Sequence, residues 1–82
     1  MMQKQSLPIS AIYVPAKRKR TLEPEKVESL AEEILEDGQK TPIRVRKDGD
    51  RFVLIEGYHR LEAVKALGEE MIDGYLVQAR RH

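Results

Sequence analysis

The sequence predicts an α+β domain made of a small mixed β-sheet and two helices. Three observations carry that expectation. Apolar residues recur with period two in some stretches and at helical spacing in others, so strands and helices separate. These stretches follow the order strand, helix, hairpin, helix, strand, without internal repeats, which is too irregular for a doubly wound sheet. A chain of 82 residues has room for one modest core and not for two. A single domain over residues 1–82, with its core between 7 and 79, is therefore expected.

The run Leu7-Pro8-Ile9-Ser10-Ala11-Ile12-Tyr13-Val14 is apolar and β-branched and stops at Pro15. Pro8 has no N–H for a ladder, so a first or edge strand is expected to start near Ile9. Ala16 to Thr21 reads as a basic loop. A helix opens at Leu22-Glu23-Pro24-Glu25, because Pro24 suits the first helical position and the two glutamates suit the positive end of the dipole. Glu23 is a weaker cap than Asp or Ser. Val27, Leu30, Ala31 and Ile34 repeat at helical spacing and are expected to be the buried stripe, with Leu35 beside it. Glu28, Glu32, Glu33 and Glu36 form the wet face, and Gly38 is expected to end the helix as a left-handed residue.

Thr41 to Arg46 alternates, with Ile43 and Val45 facing inward and Arg44 and Arg46 outward. Lys47-Asp48-Gly49-Asp50-Arg51 is a hairpin connection centred on Asp-Gly, which makes the strand from Phe52 antiparallel to the one before it. Phe52 to Ile55 does not alternate and reads as a strand buried on both faces. Leu61, Ala63, Val64 and Leu67 share one side of a short helix that Gly68 closes. Met71 to Ala79 is the last strand, and Arg80-Arg81-His82 is a frayed basic tail.

The chemistry concentrates where the fourth apolar run gives way to a helix, at Glu56-Gly57-Tyr58-His59-Arg60. Unpaired amides and the positive end of the dipole gather at a helix start, which favours an anion. Gly57 permits close backbone approach, while His59 and Arg60 add donors at the same point. Arg60 falls on the apolar side by angle, so its head must reach past the helix end to a partner.

Charge is segregated although the net is only +1. Residues 1–20 carry five bases and no acid, residues 21–38 carry seven acids and one base, and residues 39–82 are slightly basic. Such a field steers an anion to one side, but it is not the uniform excess of a dedicated DNA-binding domain. The chain has no cysteine, which excludes a disulfide framework, a thiolate nucleophile and a zinc-thiolate site, and no metal site is expected. No apolar run approaches the roughly 18 residues of a membrane span, and no signal core follows Met1, so the expected compartment is the cytoplasm.

Several pieces fall in one order: Val14-Pro15, Glu23-Pro24-Glu25-Lys26-Val27, Gly38-Gln39-Lys40-Thr41-Pro42-Ile43-Arg44-Val45, and Glu56-Gly57-Tyr58-His59-Arg60-Leu61-Glu62-Ala63. Their order and spacing, from roughly Leu7 to Val77, resemble the N-terminal domain of ParB-type partition proteins (the ParB-like nuclease domain) and the wider ParB/sulfiredoxin fold. The resemblance implies binding of a nucleoside triphosphate with Mg²⁺. In such domains Gly57, Tyr58, His59 and Arg60 would hold phosphate, Gln39, Thr41 and Pro42 would line the pocket, and Arg18 or Arg20 would reach in from the basic loop.

The chain also departs from that pattern. Gly-Tyr-His-Arg stands where partition proteins usually have Gly-Glu-Arg-Arg, and is closer to the Gly-x-His-Arg of sulfiredoxin and of free-serine kinases. Tyr58 occupies the position of the cysteine that sulfiredoxin needs, so sulfinic-acid reduction is excluded. The extra catalytic glutamate of the kinases has no counterpart that can be placed. The Glu-Asn-x-Gln-Arg motif and the helix-turn-helix domain of partition proteins would begin where this sequence stops.

Three readings follow. The first is a stand-alone nucleotide-binding module, regulatory or linked to DNA partition. The second is a phosphotransferase or nuclease with Glu56 or His59 as base. The third is a DNA-binding accessory that uses Lys17 to Arg20, Arg44 and Arg46. The expected partners are a nucleotide, DNA or a DNA-binding protein, and a second copy in a homodimer; no membrane is expected.

Overall fold

Alternation along Ile43–Asp48 buries Ile43 and Val45 and leaves Arg44 and Arg46 in solvent. This strand, β3, is the middle of a five-stranded sheet. The others are β1 (Gln3–Pro8), β2 (Ile12–Tyr13), β4 (Arg51–Glu56) and β5 (Met71–Leu76), in the order β1-β5-β3-β4-β2. β1 with β5 and β3 with β4 are antiparallel, whereas β3 with β5 and β2 with β4 are parallel, so the sheet is mixed as expected. The structure is a computed structural model and describes residues 3–77. The basic tail and the last residues of the expected core, 78 and 79, lie outside the described residues.

Two helices were expected and are found as α2 (Pro24–Asp37) and the shorter α3 (Tyr58–Ala66), and a third, α1, forms a single turn over Ala16–Lys19. α3 packs on β3 and α2 packs on α3. Leu61 and Val64 thereby close a core with Leu7, Ile43, Val45, Leu54 and Ile72. Among the described residues, no helix is long and apolar enough to cross a membrane.

Several local expectations change. The strand expected from Ile9 to Val14 is a 3₁₀ turn at Ile9–Ala11 followed by the two residues of β2. The longer strand precedes it, and Gln3 to Ser6 carry no apolar alternation to reveal it, because an edge strand needs little. The basic loop contains α1, which Pro15 introduces. Gly38 has a positive φ of 79°, but its ψ of 174° is extended rather than left-handed helical. Asp48 pairs with Arg51, so the hairpin's two central residues are Gly49 and Asp50, with the positive φ of 62° at Gly49. The apolar stripe of α2 is only half-buried, and Leu35 is 74 % exposed. Leu22, Pro24, Val27, Ala31 and Ala66 instead line an apolar groove of about 550 Å³ between α2 and α3.

Two glycines fix β3 against its surroundings. A Cβ on Gly57 would stand 2.8 Å from Ile43 Cγ2, and one on Gly74 would stand 2.7 Å from Leu7 Cδ1 and 3.1 Å from Ile43 Cγ1. Gly49 also has a positive φ, but a Cβ there would meet nothing within 4 Å. Gly49→Ala should therefore cost only the backbone conformation, about 1 kcal/mol. Gly57→Ala adds overpacking against Ile43 and should cost about 2–4 kcal/mol. Urea unfolding of the two variants measures the difference, and equal losses would remove the steric argument.

A candidate anion-binding turn

β4 ends at Glu56, and the chain turns through Gly57 with φ 102° and ψ 32° into α3. Leu61 N–H donates to the Gly57 carbonyl at 2.9 Å, which closes the first helical turn. The amides of Tyr58, His59 and Arg60 precede that bond, and among the described residues neither a side chain nor the main chain accepts from them. Three unspent N–H groups at the positive end of a helix make a site for an anion.

The side chains on this turn divide their work. Tyr58 packs against the core, with its ring centroid 6.0 Å from that of His59. His59 Nε2 accepts the main-chain N–H of Glu23 at 2.9 Å, across 36 residues of sequence. Arg60 is half-buried, yet among the described residues its guanidinium makes no hydrogen bond or ion pair. The partner that its position at the helix start calls for is not supplied by those residues.

The other candidate residues lie at different distances from this chemistry. Thr41 and Pro42 lead into Ile43, which touches Gly57, so this part of the loop adjoins the turn. Gln39 has another task. Its amide donates to the Asp73 carbonyl at 2.9 Å and to the Thr41 carbonyl at 3.1 Å, and its Oε1 accepts the Asp73 N–H at 2.9 Å. It ties the loop after α2 to β5, a role that no sequence pattern announced. Arg18 and Arg20 are exposed and unpaired among the described residues. From α1 it is Lys19 that shares a cleft of about 380 Å³ with Tyr58, Tyr13, Glu62 and Lys65.

A bulge moves Glu56. Val45 pairs with Leu54 but Arg44 pairs with Glu56, so Ile55 is the inserted residue and Glu56 turns to the Arg44 face. Its carboxylate lies 3.6 Å from Arg44 Nε. Near the turn, the Lys26 ammonium at 3.0 Å, by hydrogen bond and then by charge, holds the Glu23 carboxyl below the usual carboxylate range. Desolvation opposes this shift without reversing it. This pairing offsets a negative charge beside the turn.

Together these elements define a small mixed-sheet domain whose strand–glycine–helix corner carries three amides without a protein acceptor among the described residues, with a half-buried histidine and arginine on the same turn. The chain belongs to the ParB N-terminal domain family, whose sequence model matches residues 1–81. It is 39 % identical over 62 residues to a probable chromosome-partitioning protein ParB of Campylobacter jejuni, a match that covers 76 % of this chain and 22 % of that relative. The chain thus spans about a fifth of the relative's length. Its fold is similar to that of sulfiredoxin from Arabidopsis thaliana, with a TM-score of 0.84 and 28 % identity over 94 % of this chain and 86 % of that one. A C-terminally truncated ParB from Caulobacter crescentus, solved with CTP-γ-S, aligns with a TM-score of 0.78 and 23 % identity. That alignment covers 98 % of this chain and 46 % of the other.

Because the Glu23 carboxyl is depressed, its pairing stabilises the fold above the usual carboxylate range and is lost as pH falls through the lowered value. In an NMR titration Glu23 should protonate at lower pH than a glutamate in a short unstructured peptide, and Lys26→Met should move it back upward. An unmoved midpoint would show that Lys26 is not the cause.

Proposed function

We propose that this domain binds a nucleoside triphosphate at the Gly57–Arg60 turn and serves as the nucleotide-holding module of a partition-type protein. The observation that carries the reading is the set of unspent donors there. The three main-chain amides at the start of α3 and the side chain of Arg60, on the same turn, have no protein acceptor among the described residues. Phosphate oxygens suit these donors, since an arginine can grip two of them at once. Thr41 and Pro42, set beside Gly57 through Ile43, would flank the ligand, and the basic segment from Lys17 to Arg20 would draw it in.

Among the described residues no three His, Asp or Glu side chains come together. The described residues therefore offer no protein cage for Mg²⁺, and the phosphates would bring the ion with them. Binding is favoured over turnover because both residues considered as bases are engaged, Glu56 with Arg44 and His59 with the Glu23 amide. The CTP analogue on the Caulobacter protein makes CTP the first ligand to try.

Calorimetry with CTP, ATP, GTP and UTP, with and without Mg²⁺, is expected to show binding of at least one nucleotide. Arg60→Ala should weaken it by about 10- to 100-fold, the worth of a charge-assisted bond. Absence of binding by every nucleotide defeats the proposal.

A further inference from the structure

The hydrogen bond from the Glu23 amide to His59 Nε2 fixes more than a helix end. A ring nitrogen that accepts carries no proton, so the neutral imidazole holds its hydrogen on Nδ1. Among the described residues Nδ1 has no partner, and no unpartnered side-chain nitrogen or oxygen is buried, so Nδ1–H opens to solvent. It is then a further donor, on the same residue as one of the three free amides of α3. Glu23, in turn, is the residue at the N-cap of α2, which has no side-chain cap of its own. One imidazole thus joins the start of α2 to the turn at the start of α3.

We infer that His59 is a positioning residue that couples anion occupancy of the turn to the anchoring of α2, an inference that rests on the nucleotide-binding reading. An anion that accepts from Nδ1–H polarises the ring, and Nε2 becomes a better acceptor for the Glu23 amide, as linked hydrogen bonds strengthen one another. The coupling runs both ways: a ring already held by Glu23 keeps its proton on the nitrogen that faces the ligand. Anchoring Glu23 also restrains Lys19 and Arg20, which precede it by four and three residues, so their charges stay on the side from which an anion arrives.

The test uses the whole chain, ¹⁵N-labelled, above the histidine titration range. Long-range ¹H–¹⁵N NMR should show His59 as the Nδ1–H tautomer, the one that a free imidazole in water disfavours. Saturating inorganic tripolyphosphate should shift the amides of residues 58–60 and slow hydrogen exchange at the Glu23 amide by up to about twofold, a fraction of the worth of one capping bond. His59→Ala, which removes the whole bond, should speed that exchange roughly fivefold and abolish its response to tripolyphosphate. His59→Gln, which can both accept and donate, should restore part of each. An Nε2–H tautomer in the wild-type chain overturns the inference without reference to any variant. Tripolyphosphate shifts at residues 58–60 with unchanged Glu23 exchange overturn it and leave the nucleotide reading standing. If no shifts appear, both readings fail together.

Discussion

Ile43 holds the domain in register. Its side chain fills the space that a Cβ would need at Gly57 on one side and at Gly74 on the other, and it is 1 % exposed. The first residue of β3 therefore sets the distance from the sheet to the start of α3, while its pairing with Gly74 sets the offset of β5. Neither spacing can relax independently, since packed interiors accommodate even a methyl group poorly. The candidate site inherits this rigidity: Thr41 and Pro42 precede the wedge, and Tyr58, His59 and Arg60 follow the glycine that rides on it.

The long elements could be read from the sequence because each rests on a local rule. Pro24 opens α2, alternation marks β3, and Leu61, Ala63 and Val64 mark the face of α3. The turn at Gly57 was visible for the same reason, since a strand pattern stops and a helical one begins within a few residues. What stayed hidden depends on contacts between distant residues. β1 is polar along most of its length and gains its structure from β5, more than sixty residues away. The bulge at Ile55 arises only when two strands pair, and it turned a residue read as a candidate base towards Arg44. Gln39 and His59 were both singled out, yet their hydrogen bonds reach 34 and 36 residues along the chain, beyond any local pattern.

The segregation of charge takes on a spatial sense in the fold. The basic segment lies around α1 and the acidic one on α2, and the two join at Glu23, beside the turn. Pairing with Lys26 keeps the Glu23 carboxylate from opposing an incoming anion at full strength, and the remaining acids lie further along α2 on exposed positions. Arg44 and Arg46 stand on the outer face of the sheet, where Arg44 is balanced by Glu56. Among the described residues, Lys17, Arg18, Lys19, Arg20, Arg46, Lys47 and Arg60 make no ion pair.

α2 contributes no fully buried side chain, and one of its large apolar residues is mostly in water. Burial of apolar surface is what resists local opening, so α2 has less to lose by lifting away than α3. The sheet and α3, which share the sealed interior, would survive such an excursion. Of these two helices, α2 is the shutter and α3 belongs to the frame, and the end of α2 beside the glycine corner is the one fastened by the Glu23–His59 hydrogen bond.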